Sequence, residues 1–336
     1  MKLITRKALI RLGVMMGIVA IALCGIWLAM FQMPGESYVG QIPPLSDTEQ
    51  ALQISLAEDI DMLSQTIGPR NSGYYSGIQE TQDYIQKRFE KSGYRVQQQT
   101  YTIGDQSFSN LTVEKKGTEY PDEIIVVGGH YDSAFNTPGA NDNGTGTAAT
   151  LVLADQFAQV SPKRTIRFVA FTNEEPPYFW TDSMGSLVYA KAMKEQGEKV
   201  VAMISLETMG YFSDQPDSQP YPFPLSLIYP HTGNFISFIG NLQSGYLVRD
   251  AIASFRQQAS VPSEGASLPS WITGVGWSDQ WSFWQQGFPG IMVTDTATYR
   301  YPHYHTENDT PDKIDYVRFT HVVSGLFPVI LELANT

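Results

Sequence analysis

Residues 128–146 read GGHYDSAFNTPGANDNGTG. The stretch follows Ile124-Ile125-Val126-Val127, four consecutive apolar β-formers, which predict a strand buried on both faces. His130 and Asp132 then stand where the strand ends. A loop rich in Gly, Pro and Asn carries the chain to Asp142, and that composition lets a backbone turn tightly. An imidazole and carboxylates at the mouth of a buried strand suit a metal site, because open α/β sheets bind ligands at the carboxyl ends of their strands.

Outward from this stretch the pattern alternates. Towards the N-terminus, Ser46-Asp47-Thr48-Glu49 has capping-box spacing and opens a helix to about Gln65. A turn follows at residues 68–73, then a helix from Ser76 that Gly93 ends. Tyr94–Thr102 and Ser109–Glu114 read as strands. Towards the C-terminus, Thr147–Val160 reads as a helix and Thr165–Phe171 as a strand with Asn173-Glu174-Glu175 at its end. A helix over Ser183–Glu195 and a buried strand over Val200–Leu206 come next, the latter ending in Glu207. Residues 211–230 are Pro-rich and irregular. Helices are expected at Ser244–Gln258 and Trp277–Gln286, a strand at Gly290–Thr294, a loop at Tyr299–Asp309 and a closing helix at Lys313–Leu333. Buried strands alternating with helices predict an α/β domain of three layers, α/β/α, around a mixed, largely parallel sheet.

The first 33 residues differ from the rest. Lys2, Arg6, Lys7 and Arg11 precede Leu12–Met33, 22 residues without a charge. At about 1.5 Å per residue such a helix crosses a bilayer core. The leading positive charges predict a cytoplasmic tail and a catalytic part outside, periplasmic or extracellular. A cleaved signal peptide is the rival reading; the length of the run and the lack of an Ala-x-Ala-like site speak against it. The expected organisation is a tail and membrane anchor over 1–33, a linker over 34–45 and one catalytic domain over 46–336. No cysteine follows Cys24, so a metal site beyond it must use N and O ligands. Four of the 22 basic residues and none of the 34 acidic ones precede residue 34, which leaves the remainder at a formal −16. That balance argues against nucleic acid as a partner.

Polar, ligand-type residues end five of these elements: His130 with Asp132, Asp142, Glu174-Glu175, Glu207 and His305. One acidic residue at a strand end is ordinarily a turn former or helix cap. The adjacent pair Glu174-Glu175 is more pointed, since two carboxylates after an apolar strand repel unless a cation or proton separates them. Two histidines and several carboxylates match a co-catalytic zinc pair. In such a pair a carboxylate bridges two ions roughly 3.5–4 Å apart, and a glutamate off the metal serves as general base.

The motifs, in order, resemble those of the M28 family of zinc aminopeptidases. His130-Tyr131-Asp132, Gly139–Gly146, Asn173-Glu174-Glu175, Met184-Gly185-Ser186, Ser278-Asp279 with Phe283 and Gly287-Phe288-Pro289, and Tyr304-His305-Thr306 with Asp309-Thr310 carry the resemblance over roughly residues 70–335. It implies that His130 and Glu207 hold one zinc, Glu175 and His305 the other, and that Asp142 bridges. Glu174 is implied as general base, Asp132 as the residue that orients His130, and Tyr304 as a helper at the oxyanion. Position 207 is Glu where the best-known members have Asp, and position 280 is Gln where the family often has His. The implied function is a membrane-anchored, exported exopeptidase acting on the N-termini of peptides with two Zn2+ per chain. Glutaminyl cyclases, which resemble the same family and use one zinc, and non-catalytic receptors on this fold are the alternatives. His303 competes with His305 as a ligand; the spacing to Asp309-Thr310 favours His305. His231 and His321 read as structural.

Overall fold

The computed structural model describes residues 5–336; Lys2 of the expected tail lies outside them. In chain order the elements are α1 (Arg6–Met30), α2 (Asp47–Asp61), α3 (Tyr75–Lys91), β1 (Gln97–Ile103), β2 (Gln106–Lys115), β3 (Tyr120–His130), α4 (Gly146–Phe157), β4 (Arg164–Phe171), α5 (Gly185–Glu195) and β5 (Lys199–Glu207). They continue as β6 (Ile236–Asn241), α6 (Gly245–Gln258), β7 (Ser263–Leu268), α7 (Gln280–Gln285), β8 (Ile291–Thr294), α8 (Ala297–Arg300) and α9 (Tyr316–Asn335). The strands form one sheet in the order β1-β2-β4-β3-β5-β8-β6-β7. The pairings β4–β3, β3–β5, β5–β8 and β6–β7 are parallel, and β1–β2, β2–β4 and β6–β8 are antiparallel.

Central position explains the apolar run in β3. Ile125 and Val127 face a core with α2, α4 and α9, while Ile124 and Val126 face a second core with Tyr189, Ala190 and Met193 of α5 and Phe283 of α7. Successive side chains point to opposite faces of a strand, so both faces must be covered and every position must be apolar. The architecture is the three-layer α/β/α arrangement expected.

Local chemistry sets the ends. The capping box of α2 is present, Ser46 accepting from the Glu49 amide and Glu49 reaching back to the Ser46 amide. The helix expected to run to about Gln65 leaves α geometry at Asp61 and closes in a π turn over Met62–Ile67. The strands β6 and β7 were not expected. Ile236–Asn241 and Ser263–Leu268 are short, and the second is small and polar, so neither carries a strong strand signal. The expected linker is laid against the domain. Met33 is buried, Arg256 donates to the Pro34 and Gly35 carbonyls, and the Ser263 amide donates to Ser37.

Among the described residues two helices are long and apolar enough to cross a membrane. In α9 more than half of the apolar window is buried, as in a core helix. None of α1 is buried, and its 25 residues exceed the length a bilayer core requires.

Candidate active site

Parallel pairing aligns the C-terminal ends of β3, β4 and β5 at one edge of the sheet, and the polar residues gather there. His130 ends β3 and Glu207 ends the adjacent β5. Glu174 and Glu175 follow β4. The close approach that brings the next ligand in depends on glycine. A Cβ on Gly129 would lie 2.4 Å, and one on Gly146 2.1 Å, from the Leu206 carbonyl oxygen. With no Cβ at either, the start of α4 sits directly on the end of β5. The Asn143 side chain ties this corner: its Nδ2 donates to the Leu206 carbonyl, and its Oδ1 accepts from the Gly146 and Thr208 amides. Asp142 is thereby held between the strand ends. Its own amide and that of Asn141 donate to the Asp309 carboxylate at 3.0 and 2.8 Å.

Asp142 faces both histidines. One carboxylate oxygen lies 3.5 Å from His130 Nε2 and the other 3.1 Å from His305 Nε2. His130 Nε2 is also 3.2 Å from Glu207, and His305 Nε2 is 3.2 Å from Glu175. Two sets of three ligand atoms result, His130/Asp142/Glu207 and Asp142/Glu175/His305, each set mutually within 4.8 Å, with Asp142 in both. The residues that the motifs single out are thus brought together. His303 stands outside both sets, its ring edge-on to Tyr301. His231 bonds a backbone carbonyl, and His321 bonds Glu49 and a backbone carbonyl.

The donor set fits a metal. Asp142 Oδ2, Glu175 Oε1 and His305 Nε2 are buried and make no hydrogen bond. Buried polar atoms are nearly always partnered. Here three of them are orphaned within a cluster of imidazole nitrogens and carboxylate oxygens, the ligand chemistry of zinc.

Burial and mutual repulsion govern the charges. Burial pushes Glu174 well above the ordinary carboxylate range; His130 opposes this, while Glu175, Glu207 and Asp279 add to it. Burial, then the Asp142 charge, raises Glu175 to about 7. Burial alone would raise Asp142, but His130 and His305 hold it below its ordinary value. Burial would lower His305, and the adjacent Asp142 and Glu175 outweigh that and raise it to about 10. A site this rich in carboxylates needs protons or cations to exist.

Asp132 does more than face His130. Its carboxylate accepts the amides of Glu174 and Glu175 at 3.1 and 3.0 Å. Its oxygen lies 3.4 Å from His130 Nδ1, and its own carbonyl 3.2 Å from the same nitrogen. Tyr304 stacks on His305 with ring centroids 3.9 Å apart. Ser278 donates to Glu207 at 2.7 Å. Gln280 is buried and donates to the Val275 carbonyl. Backbone strain concentrates here. Asn173 (φ 56°), Thr208 (φ 39°) and His305 (φ 57°) are left-handed non-glycine residues beside or within the ligand set.

Sequence reasoning missed Arg70 and Asp295. Arg70 is fully buried and donates to the carbonyls of Leu63, Gly68, Tyr131, Pro138 and Gly139. It clamps together the two ends of the 131–139 loop. Asp295 accepts from Asn141 and from the Tyr211 amide. Nothing local distinguishes either residue from a turn arginine or a strand-end aspartate, since their partners lie at least 60 positions away except for the two nearest carbonyls of Arg70.

Residues 110–330 match the family model described as Peptidase family M28. The chain is similar to the uncharacterized protein YfbL of Escherichia coli (strain K12), with 34% identity over 90% of this chain and 93% of that one. Among solved structures it resembles a zinc aminopeptidase from Bacillus subtilis, with a TM-score of 0.69 and 16% identity, covering 88% of this chain and 97% of the other. It also resembles a glutaminyl cyclase from Fimbriiglobus ruber, with a TM-score of 0.61 and 20% identity over 88% and 97% of the two chains. The structural likenesses establish the fold alone. The family model spans well over half of the chain, and with the Escherichia coli relative it establishes that the protein belongs to peptidase family M28.

Proposed function

We propose that the protein is a membrane-anchored, exported aminopeptidase with two zinc ions, in which α1 spans the bilayer and residues 46–336 form the catalytic domain. The observation that carries the two-zinc reading is Asp142. Its two carboxylate oxygens face different histidines, each completed by a different glutamate. His130 and Glu207 would hold one ion, Glu175 and His305 the other, and Asp142 would bridge. Zinc held there would act as a Lewis acid toward the scissile carbonyl and would acidify water.

The chain's own residues do the rest. Glu174 lies beside the ligands, its carboxylate 3.8 Å from His130 Nε2, and is itself in neither ligand set. It accepts the proton of the attacking water and hands it to the leaving amine. Burial raises its proton affinity, which suits a group that must both take and return a proton. Asp132 fixes the Glu174-Glu175 backbone and faces His130 Nδ1, so the base and the ligand stay in register. Tyr304 is kept protonated, since burial and the surrounding carboxylates raise it well above an ordinary phenol, and its hydroxyl can donate to the oxyanion.

Wild type and Glu174→Gln, both with the anchor in detergent, test the reading. Bound metal is measured by mass spectrometry, and free amino acids released from a peptide library are counted. The expected result is two zincs in both proteins, N-terminal trimming by the wild type, and a loss of about a hundredfold to ten-thousandfold in the mutant. One zinc with pyroglutamate formation would assign the site to cyclase chemistry instead.

A further inference from the structure

Beside the metal ligands a cleft runs away along the sheet. It encloses about 90 Å³ of space that water can enter, several times what one water needs. Its wall is mostly apolar and aromatic, with Tyr221, Tyr229, Trp277 and Tyr299 among the lining side chains, and Glu207 and Tyr304 at the metal end. One charged side chain far from the metals also lines it: Glu264.

Strand register places Glu264. Glu207 on β5 pairs with Thr294 on β8, Thr294 pairs with Ser237 on β6, and Ser237 pairs with Glu264 on β7. All four line the cleft. They form a row across the sheet from a candidate metal ligand to a carboxylate three strands away, about 14 Å at the usual strand spacing. The neighbours of Glu264 on its own strand face the other way. Ser263 meets Arg256 of α6, and a Cβ on Gly265 would meet Met33 and Ile252. Glu264 therefore points into the cleft by alternation.

The carboxylate is unpaired there. Among the described residues nothing hydrogen-bonds it, and the one charge felt nearby is Arg256. Arg256 is occupied on the far side with Ser263 and the Pro34 and Gly35 carbonyls. The other cation near this cleft, Arg300, is held by Gln219 and the Phe235 carbonyl and answered by Asp295. An unpaired carboxylate in a largely apolar wall is costly, so its position calls for a cationic guest.

Building on the aminopeptidase reading, the geometry points to Glu264 as a specificity-determining residue that selects peptides with an N-terminal lysine or arginine. The long apolar stem of such a side chain would lie along the aromatic wall, where cations and their stems pack well. Its charged head would reach the carboxylate. Glu264 touches no reacting atom; it decides which residue is presented to the metals.

The test uses the zinc-loaded full-length protein in detergent, as wild type, Glu264→Gln and Glu264→Leu. Release rates are compared for peptides beginning with Lys, Arg, Leu and Met. Thermal stabilisation by L-lysinamide and L-leucinamide is measured alongside. The expected wild type prefers Lys and Arg by tenfold or more. Glu264→Gln should lower kcat/KM for Lys and Arg roughly thirtyfold, mostly through KM, and change Leu less than threefold. Glu264→Leu should invert the preference while still trimming, which shows that the variant is folded. A wild type that prefers Leu, with the basic substrates indifferent to residue 264, would overturn the assignment and leave the peptidase reading intact. Release of dipeptides in place of single residues would also overturn it, by giving Glu264 a remote α-ammonium group. Stabilisation by lysinamide that depends on Glu264, without release from any peptide, would keep the pocket and sink the peptidase.

Discussion

Asp142 shows how one side chain can be read two ways and how neighbours decide. In isolation Asp142-Asn143-Gly144 is an ordinary turn. In the folded chain its two oxygens face two imidazoles. A carboxylate shared in this way makes mutations here unequal. Asp142→Asn should cost both zincs, whereas Glu175→Gln should weaken one site tenfold or more and leave the other occupied. Metal counting by mass spectrometry after dialysis separates the cases, and equal losses in the two variants would argue against a bridge. Arg70 is the opposite lesson. It is fully buried, and burial lowers it to about 10 in spite of nearby Asp309, Asp132, Asp142 and Glu175. All of its side-chain hydrogen bonds go to backbone carbonyls, so its work is to hold loops, and no motif announces it.

The strand-to-helix corner that carries Asp142 depends on backbone contact more than on side chains. Gly146 packs against the Leu206 carbonyl with no room for a methyl group, and Asn143 closes the same corner with three hydrogen bonds. Gly146→Ala should therefore destabilise the fold by about 3 kcal/mol and displace Asp142 from Glu207. Calorimetry should show the lowered Tm, and zinc titration the weakened affinity. Unchanged zinc affinity would mean that the corner does not position the ligand. The neighbouring elements were legible to different degrees. The run Ile124–Val127 announces a central strand because both its faces are buried. The segment Ser263–Leu268 does not announce itself, because it owes its place to pairing with β6 rather than to its own side chains.

The assembled site couples metal, protons and stability. Without metal, Glu175 is raised to about 7, Asp279 to about 7 and Asp309 to about 6, in each case first by burial. These folded values lie above the unfolded ones, so the associated stability is present at acid pH and is lost as pH rises through them. His305, raised to about 10 by its carboxylates against burial, has the same sign; its contribution is full below about 6.5 and lost as pH climbs towards 10. The chelator-treated protein should therefore melt at a lower temperature at pH 8 than at pH 5.5. Zinc should reverse that order, because ligation requires the protons of Glu175 and His305 to leave. Calorimetry in both states checks the sign, and a metal-free Tm that rises between pH 5.5 and 8 would contradict it. Titration of zinc into the metal-free protein at pH 7 should release protons, visible as a heat that varies with the buffer.

By itself the sequence determined the layered α/β class, the apolar N-terminal helix and the motif residues that the fold gathers at one edge of the sheet. Each is written in local pattern: hydrophobic periodicity, the uncharged run, and motifs a few residues long. Tertiary structure alone decided that Asp142 lies between the two histidines, that Arg70 holds the ends of the loop, and that Glu264 stands in row with Glu207. The reason is physical. These relations are contacts between strands and loops far apart in the chain, set by sheet order and register, and no short window of sequence contains both partners.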